Sequence, residues 1–274
     1  MLSYLLPIFI GVLLISYSAG KPYWREYQRN KIKSKSFKKA WRKIIQQRVP
    51  YFRKMPVDLQ LQLKQHIQVF LAEKKFIGCN GVRITDEIRI TVAAQACLLL
   101  LNRKIDYYPK LQTILVYPRA FIKEQQSINT DGVQQVRKVV LSGESWDVGK
   151  VILSWQDTLD GAKTPDDGRN VVIHEFAHQL DQENGHANGA PILNKGQNYQ
   201  SWSDVFSLQF EKLQKQAKAG KPSLFDYYGA TNPAEFFAVT SEVFFEQATQ
   251  LHYEYPLLYQ QLKQYYQVDP LHWQ

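Results

Sequence analysis

The sequence has little cysteine and no recognisable covalent-catalysis motif. Its two cysteines, Cys79 and Cys97, lie among 274 residues and show neither metal-ligand nor redox spacing. This excludes a small disulfide-stapled domain and fits free thiols in a reducing compartment, with a single disulfide left open. No serine or cysteine nucleophile motif, internal repeat or low-complexity segment stands out. At 45% hydrophobic residues, the chain is long enough for one large domain with a substantial core.

Charge is missing from the start of the chain and concentrated just after it. Residues 1–20 carry no charged side chain, whereas residues 21–54 hold thirteen lysines and arginines and one acid, Glu26. The remaining 220 residues hold 21 bases and 24 acids, so the net charge of +9 is local to the basic segment. Twenty helical residues span about 30 Å, the thickness of a bilayer core. We therefore predict a membrane anchor at 1–20, with the basic segment and everything after it on the cytoplasmic side.

Two other interpretations apply to this region. A secretory signal peptide could be cleaved near the Ser-Tyr-Ser run at 16–18, but no lysine or arginine precedes it and the bases that follow oppose export. Nucleic-acid binding would use the bases together with Trp24, Tyr27, Phe37 and Trp41 as stacking aromatics. A solvated or lipid-facing helix explains the same residues with fewer assumptions, so nucleic acid is the less favoured partner.

The most informative motif is His174-Glu175-Phe176-Ala177-His178, which has the form H-E-x-x-H. On a helix the two histidines lie at i and i+4, so both rings project from one face and can bind one Zn²⁺, with Glu175 as general base. Asp167 or Asn170 could cap this helix. A helix whose histidines only make hydrogen bonds is the alternative to a metal site.

A zinc peptidase needs a third protein ligand. The metzincin pattern fails, because the required glycine and third histidine are replaced by Asp181 and Asn184. His186 lies in a Gly/Asn-rich stretch that is typical of a loop, so it is a weak candidate. Glu235 is stronger, because it falls in the first turn of a mostly apolar helix that begins with an Asn-Pro pair at 232–233.

The role of each nearby carboxylate has an alternative. Glu235 could instead pair with the helix dipole. Glu242 lies seven residues on, on nearly the same face, and could orient a ligand histidine or form a plain salt bridge. Asp181, one turn after His178, has the same two interpretations.

The residues at 174–181 (HEFAHQLD) and 232–239 (NPAEFFAV) resemble the Mlc titration factor A family of bacterial zinc peptidases. The similarity extends over roughly 45–274 and includes the stretches 94–100, 142–146, 153–155 and 269–271. The segment from Tyr228 to 238 is also similar to the catalytic domain of anthrax lethal factor. There the tyrosine donates to the transition state and the glutamate seven residues later binds zinc.

These resemblances imply one Zn²⁺ held by His174, His178 and Glu235, with Glu175 as general base and Tyr228 as oxyanion donor. They imply hydrolysis of a peptide or protein substrate without a covalent intermediate. The family is named for binding and inactivating a glucose-responsive transcriptional repressor, so a repressor of sugar uptake is a further expected partner. A non-catalytic regulator that acts by protein binding is the alternative function, although a pure binding module needs neither Glu175 nor Tyr228.

The hydrophobic pattern predicts an α+β fold, a zincin-like domain with a small mixed sheet and a buried H-E-x-x-H helix, plus an N-terminal membrane helix. The predicted domains are an anchor at 1–20, a basic juxtamembrane segment at 21–54 and a zinc peptidase domain at 55–274. The predicted helices lie at 36–48, 57–75, 85–102, 169–183, 200–218 and 252–266, and the strands at 113–117, 136–141 and 150–155. We expect an edge strand near 142–154 to pair with an extended substrate.

Overall fold

The computed structural model describes residues 20–103, 106–128, 134–141, 143–146, 149–164 and 166–273. The predicted anchor at 1–20 lies outside these residues except for Gly20. No helix among the described residues is both long enough and apolar enough to cross a membrane.

The described residues are mostly helical, with a small mixed sheet. The helices are α1 (20–33), α2 (Lys39–Arg48), α3 (Val57–Glu73), α4 (Asp86–Leu98), α5 (Trp155–Lys163), α6 (Val171–Asp181), α7 (Tyr199–Ala219), α8 (Pro233–Glu246), α9 (Ala248–Glu254) and α10 (Pro256–Tyr266). Short 3₁₀ helices occupy Pro50–Arg53, Gln182–Asn184, Tyr227–Ala230 and Pro270–His272. The strands are β1 (Lys75–Gly78), β2 (Thr113–Tyr117), β3 (Phe121–Ile128), β4 (Gln134–Leu141), β5 (Gly143–Trp146) and β6 (Lys150–Ser154).

The main sheet has the order β1-β2-β6-β5. Its first three strands are parallel, with Ile114 of β2 level with Phe76 of β1 and Val151 of β6. Strand β5 runs antiparallel to β6 and forms an edge, while β3 and β4 form a separate antiparallel hairpin. Helix α6 packs against β5 and β6 on one side and against α4 and α8 on the others. The predicted edge strand is therefore β5, next to the motif helix, and β6 lies inside the sheet.

Helix α4 falls within the helix predicted at 85–102 and is mostly buried. Thr85 caps α4 by accepting a hydrogen bond from the backbone N–H of Ile88, and Asp86 and Glu87 occupy the favourable first turn. From Ile88 to Leu98 every α4 residue except Arg89 is buried. Both cysteines are free thiols, with Cys97 buried in this helix.

Several elements differ from the sequence prediction. The single helix expected at 252–266 is divided into α9 and α10, because Pro256 has no N–H to donate and Tyr255 adopts a non-helical conformation before it. Helix α5 and strand β1 were not predicted, since each is short and lacks a clear period.

The basic segment at 21–54 is helical and packs onto the rest of the fold. Ile45, Val49 and Phe52 are buried in the same core cluster as the residues of α4, α6 and α8. Arg29 is 7% exposed, and its guanidinium binds both carboxylate oxygens of Glu73, at 2.6 and 2.9 Å. Residues of the predicted segment 21–54 therefore share a core with residues of the predicted domain 55–274. The sequence pattern did not indicate this packing, because the few apolar positions that hold the stretch in place lie among many charged residues.

Replacing Arg29 with alanine should destabilise the fold. Its guanidinium bridges Glu73 and Asp106, so the variant loses the buried base between these two acids and leaves them only the more exposed Arg25. Because both acids are partly exposed to water, we expect a loss of about 1–3 kcal/mol in the free energy of unfolding. Denaturant titration measures it. Lys31→Ala, an exposed change on the same helix, should stay within about 0.5 kcal/mol of wild type. Equal stabilities of the two variants would contradict this role of Arg29.

Candidate metal centre

The first half of the site is built on α6, the predicted motif helix. Asn170 caps it, with its side-chain oxygen 3.1 Å from the backbone N of Ile173. Phe176 is fully buried and packs against Phe70 and Tyr108 at ring-centroid distances of 5.7 and 4.8 Å. This anchored apolar face fixes the rotation of the helix, so the histidines one turn apart project together from the opposite side.

The second half is built on α8. Asn232 caps this helix by accepting the backbone N–H of Glu235 at 3.0 Å, and Pro233 occupies the first helical position. Phe236 and Phe237 follow, both buried. Their packing sets the direction in which Glu235 points, which is toward α6.

The side chains of His174, His178 and Glu235 converge on one point. The Nε2 atoms of His174 and His178 are 3.2 Å apart and lie 3.0 and 3.2 Å from Oε2 of Glu235. A tetrahedral zinc site with bonds of about 2.0–2.1 Å places its donors about 3.3 Å apart. The three atoms thus form the near-equilateral triangle that one small cation requires. The predicted ligands are brought together as one candidate metal group.

The charges around His174 favour a cation at this point. Burial lowers the pKa of His174, but Glu242 and Glu235 outweigh it and leave the pKa well above its ordinary value. Burial raises the pKa of Glu235, whereas the hydrogen bonds from His174 and His178 lower it to about 2. The carboxylates thus attract positive charge to the donors, and a metal ion can replace the proton on His174.

Glu242 orients His174. Its Oε1 lies 2.7 Å from Nδ1 of His174, and its Oε2 accepts the backbone N–H of Asn170 at 2.5 Å. The first contact directs Nε2 of the ring toward the metal point, as in many metal sites. Of the two roles that the sequence left open for Glu242, the structure shows the orienting one.

Glu175 lies buried beside the donors, only 4% exposed. Its Oε2 has no hydrogen-bond partner among the described residues. Burial raises the pKa of Glu175 to about 7, and the nearby His174 and His178 limit the rise. A carboxylate with this pKa can take up and release a proton near neutral pH, which is what a general base requires.

Tyr228 lies at the open side of the site. It belongs to the 3₁₀ helix Tyr227–Ala230, where Asp226 accepts its backbone N–H at 2.8 Å. Its ring centroid is 6.0 Å from that of His174, and the side chain is 56% exposed. The other oxygen of Asp226 forms an ion pair with Arg169 at 2.8 Å, which ties this turn to the start of α6.

The two remaining candidates from the sequence have other positions. His186 is exposed on the loop after α6 and does not belong to the metal group. Asp181 is fully buried and accepts the backbone N–H of Gly189 at 2.7 Å. Asp181 therefore holds the loop that follows α6, and within the described ranges it neither hydrogen-bonds a histidine nor forms a salt bridge.

Sequence reasoning missed Glu246. It is 3% exposed, accepts a hydrogen bond from the Asn170 side chain at 2.9 Å, and has a pKa raised by burial to about 9. Its position in the sequence could have indicated a buried role, since Glu235, Glu242 and Glu246 are the only acids of a mostly apolar helix.

Two histidines from one helix, a glutamate from a second helix and a buried glutamate between them define a metallopeptidase-like domain. The chain belongs to the glucose-regulated metallo-peptidase M90 family, whose model matches residues 24–267. It is 40% identical over 268 residues to the protein slr2042 of Synechocystis sp., which covers 97% of this chain and 96% of that protein. It is 31% identical over 226 residues to Mlc titration factor A of Escherichia fergusonii and of Klebsiella pneumoniae, covering 81% of this chain and 84% of each relative. The resemblance found in the sequence is confirmed.

Replacing Glu242 with glutamine should weaken metal binding. Glutamine keeps one acceptor oxygen, which cannot serve both His174 and the Asn170 N–H. We expect the metal dissociation constant to rise about 10- to 100-fold, measured by competition with a chelator. Glu211→Gln, an exposed change on α7, is the matched control and should bind metal as wild type does. An unchanged affinity in the Glu242 variant would mean that this residue does not orient the ligand.

Proposed function

We propose that this protein is a zinc-dependent peptidase, tethered to the cytoplasmic face of the inner membrane by residues 1–20 as a single-pass anchor. The observation that carries the peptidase assignment is the convergence of three donor atoms within 3.2 Å of one another. Beside them lies a buried glutamate oxygen that has no hydrogen-bond partner in the part of the chain that the structure describes. Zinc is favoured over other cations because two imidazoles and one carboxylate form its usual catalytic ligand set. The tether is supported by the uncharged first twenty residues and the basic segment that follows them.

In this proposal each residue has one task. His174, His178 and Glu235 would hold the ion, and Glu242 would keep His174 directed at it. A bound zinc ion supplies a Lewis acid that makes an attacking water acidic enough to ionise near neutral pH.

The remaining steps belong to side chains of this protein. Glu175 accepts the proton of the attacking water and then delivers it to the leaving amine, so the same carboxyl group ends each turnover unprotonated. The hydroxyl of Tyr228 donates to the oxyanion that develops on the attacked carbonyl. An extended substrate could pair with the backbone of the edge strand β5, which packs against α6.

A second role, in binding a protein partner, is supported by the relatives named Mlc titration factor A. We propose that the partner is a transcriptional repressor of sugar uptake, as the family name implies. Binding that survives Glu175→Gln would be independent of catalysis. Failure of both wild type and variant to cleave a broad peptide set, with zinc present in both, would favour this regulatory function over the enzyme.

Replacing Glu175 with glutamine should abolish most turnover and leave zinc in place. Glutamine has nearly the same shape but cannot accept the proton, so kcat should fall about 10²- to 10⁴-fold. Peptide hydrolysis and zinc content are measured on the same samples of full chain. Glu211→Gln is again the matched control. A glutamine variant with wild-type activity would rule out Glu175 as the base.

Replacing Tyr228 with phenylalanine removes the proposed oxyanion donor. We expect kcat to fall about 10²- to 10³-fold with little change in KM or zinc content. Tyr227→Phe is the control, because Tyr227 belongs to the same 3₁₀ helix and its hydroxyl donates to the backbone carbonyl of Lys221. Equal kcat values for the two variants would show that Tyr228 is not the oxyanion donor.

A further inference from the structure

We propose that α1 lies along an anionic lipid surface and contacts it through one face, formed by Tyr23, Trp24, Tyr27 and Lys31. These four residues are called the outward face below. The inference rests on the proposed tether for the location of the protein at a membrane. It goes further in assigning a lipid-contacting surface to the folded domain and an orientation to α1.

The opposite side of α1 is fixed to the domain. Arg29 is bound by Glu73 at the end of α3 and by Asp106. Arg25, one turn earlier, forms a second ion pair with Asp106 at 2.7 Å. The Arg29 guanidinium also lies 4.7 Å from the ring centroid of Tyr107. These contacts define which way the helix is turned.

The outward face follows from that rotation. At about 100° per residue, Tyr27 lies on the far side of the helix from Arg29, with Trp24 close to it. Tyr23, Trp24 and Tyr27 are 80%, 64% and 59% exposed. The rings of Trp24 and Tyr27 stack with centroids 5.8 Å apart. Lys31, one turn after Tyr27, is also exposed and lies on the same side.

Three large aromatic rings grouped on one exposed helix face differ from isolated surface apolar residues, which are common. Tyrosine and tryptophan are enriched where hydrocarbon meets headgroups, because their rings are apolar and their N–H and O–H groups are polar. The nearby charge suits an anionic surface, since Lys21, Lys31 and Lys35 are all exposed.

The position of the face along the chain selects lipid as its partner. Gly20, the first described residue, already lies in α1. Residues 1–20 carry no charged side chain and are the proposed anchor. The outward face therefore begins three residues after the chain would leave the membrane. A helix bound to the domain on one side and to headgroups on the other would hold the domain at a constant angle to the membrane.

The test uses the full chain with vesicles of phosphatidylcholine and phosphatidylglycerol, brominated on the acyl chains near the headgroup. Bromine quenches tryptophan fluorescence at short range, so the contribution of Trp24 is the difference between wild type and Trp24→Phe. We expect most of that contribution to be quenched. The contribution of Trp41, obtained from Trp41→Phe, should survive, because its Nε1 donates to Asp86 on the domain at 2.8 Å.

Charge reversal distinguishes lipid contact made by the outward face from membrane attachment made by the anchor. The variant Lys31→Glu/Lys35→Glu should lose about half or more of the Trp24 quenching. Lys215→Glu/Lys218→Glu, two exposed lysines on α7, should lose none. If Trp24 is not quenched, or is quenched equally after reversal at 31 and 35, the proposal is overturned. A Trp24 response to single-stranded DNA at physiological salt, without one to vesicles, would overturn it in favour of nucleic acid.

Two other measurements on the same samples test the proposed function separately from the lipid contact. Sedimentation with vesicles of phosphatidylcholine alone reports the tether, and hydrolysis of a soluble peptide reports the enzyme. A chain that sediments and cleaves while Trp24 stays unquenched has the proposed function without the outward face in contact with lipid. A chain that cleaves nothing while Trp24 is quenched retains the lipid contact without the enzyme.

Discussion

The contact between α6 and α8 is the constraint on which the site depends, because every donor atom lies on one of these two helices. Three glutamates of α8 face the first half of α6, and a buried carboxyl group is costly unless it is hydrogen-bonded or paired. Glu242 and Glu246 both bind Asn170, one through its backbone N–H and the other through its side chain. Any shift of α6 by one residue would leave these acids without partners. The hydrogen bonds that satisfy these acids therefore also fix the position of α6 along α8, which places His174 opposite Glu235.

The loop after α6 fixes the same two helices at their other ends. Gly189 has a φ of +77°, and a Cβ on it would lie 2.5 Å from the backbone oxygen of Pro233, at the start of α8. Its N–H donates to Asp181, and its carbonyl accepts from Nε1 of Trp202 at 2.9 Å. Only glycine fits both this conformation and this close approach. The loop thus connects the end of α6 to the start of α8 through backbone contacts.

Sequence reasoning located the candidate metal-binding residues because their positions follow from local rules. Helical spacing pairs His174 with His178, and the Asn-Pro start of α8 placed Glu235 in a first turn. The role of Glu242 stayed open because its partner is 68 residues away in the chain, and no local rule specifies that pairing. The attachment of α1 was missed for the same reason, since Arg29 is bound by acids 44 and 77 residues later. Long-range pairs of charges are set by the tertiary fold.

The hydrogen bonding of Glu175 differs from that of Glu235 and Glu242 in a way that folding stability does not explain. The carboxylates of Glu235 and Glu242 each accept hydrogen bonds at the site, which offset the cost of burial. Glu175 is buried as deeply and keeps one oxygen unpartnered among the described residues. A donor at that oxygen would stabilise the fold and would lower the pKa of the carboxyl group, which would make it a weaker base. In the proposed mechanism, this arrangement favours proton transfer by Glu175 over folding stability.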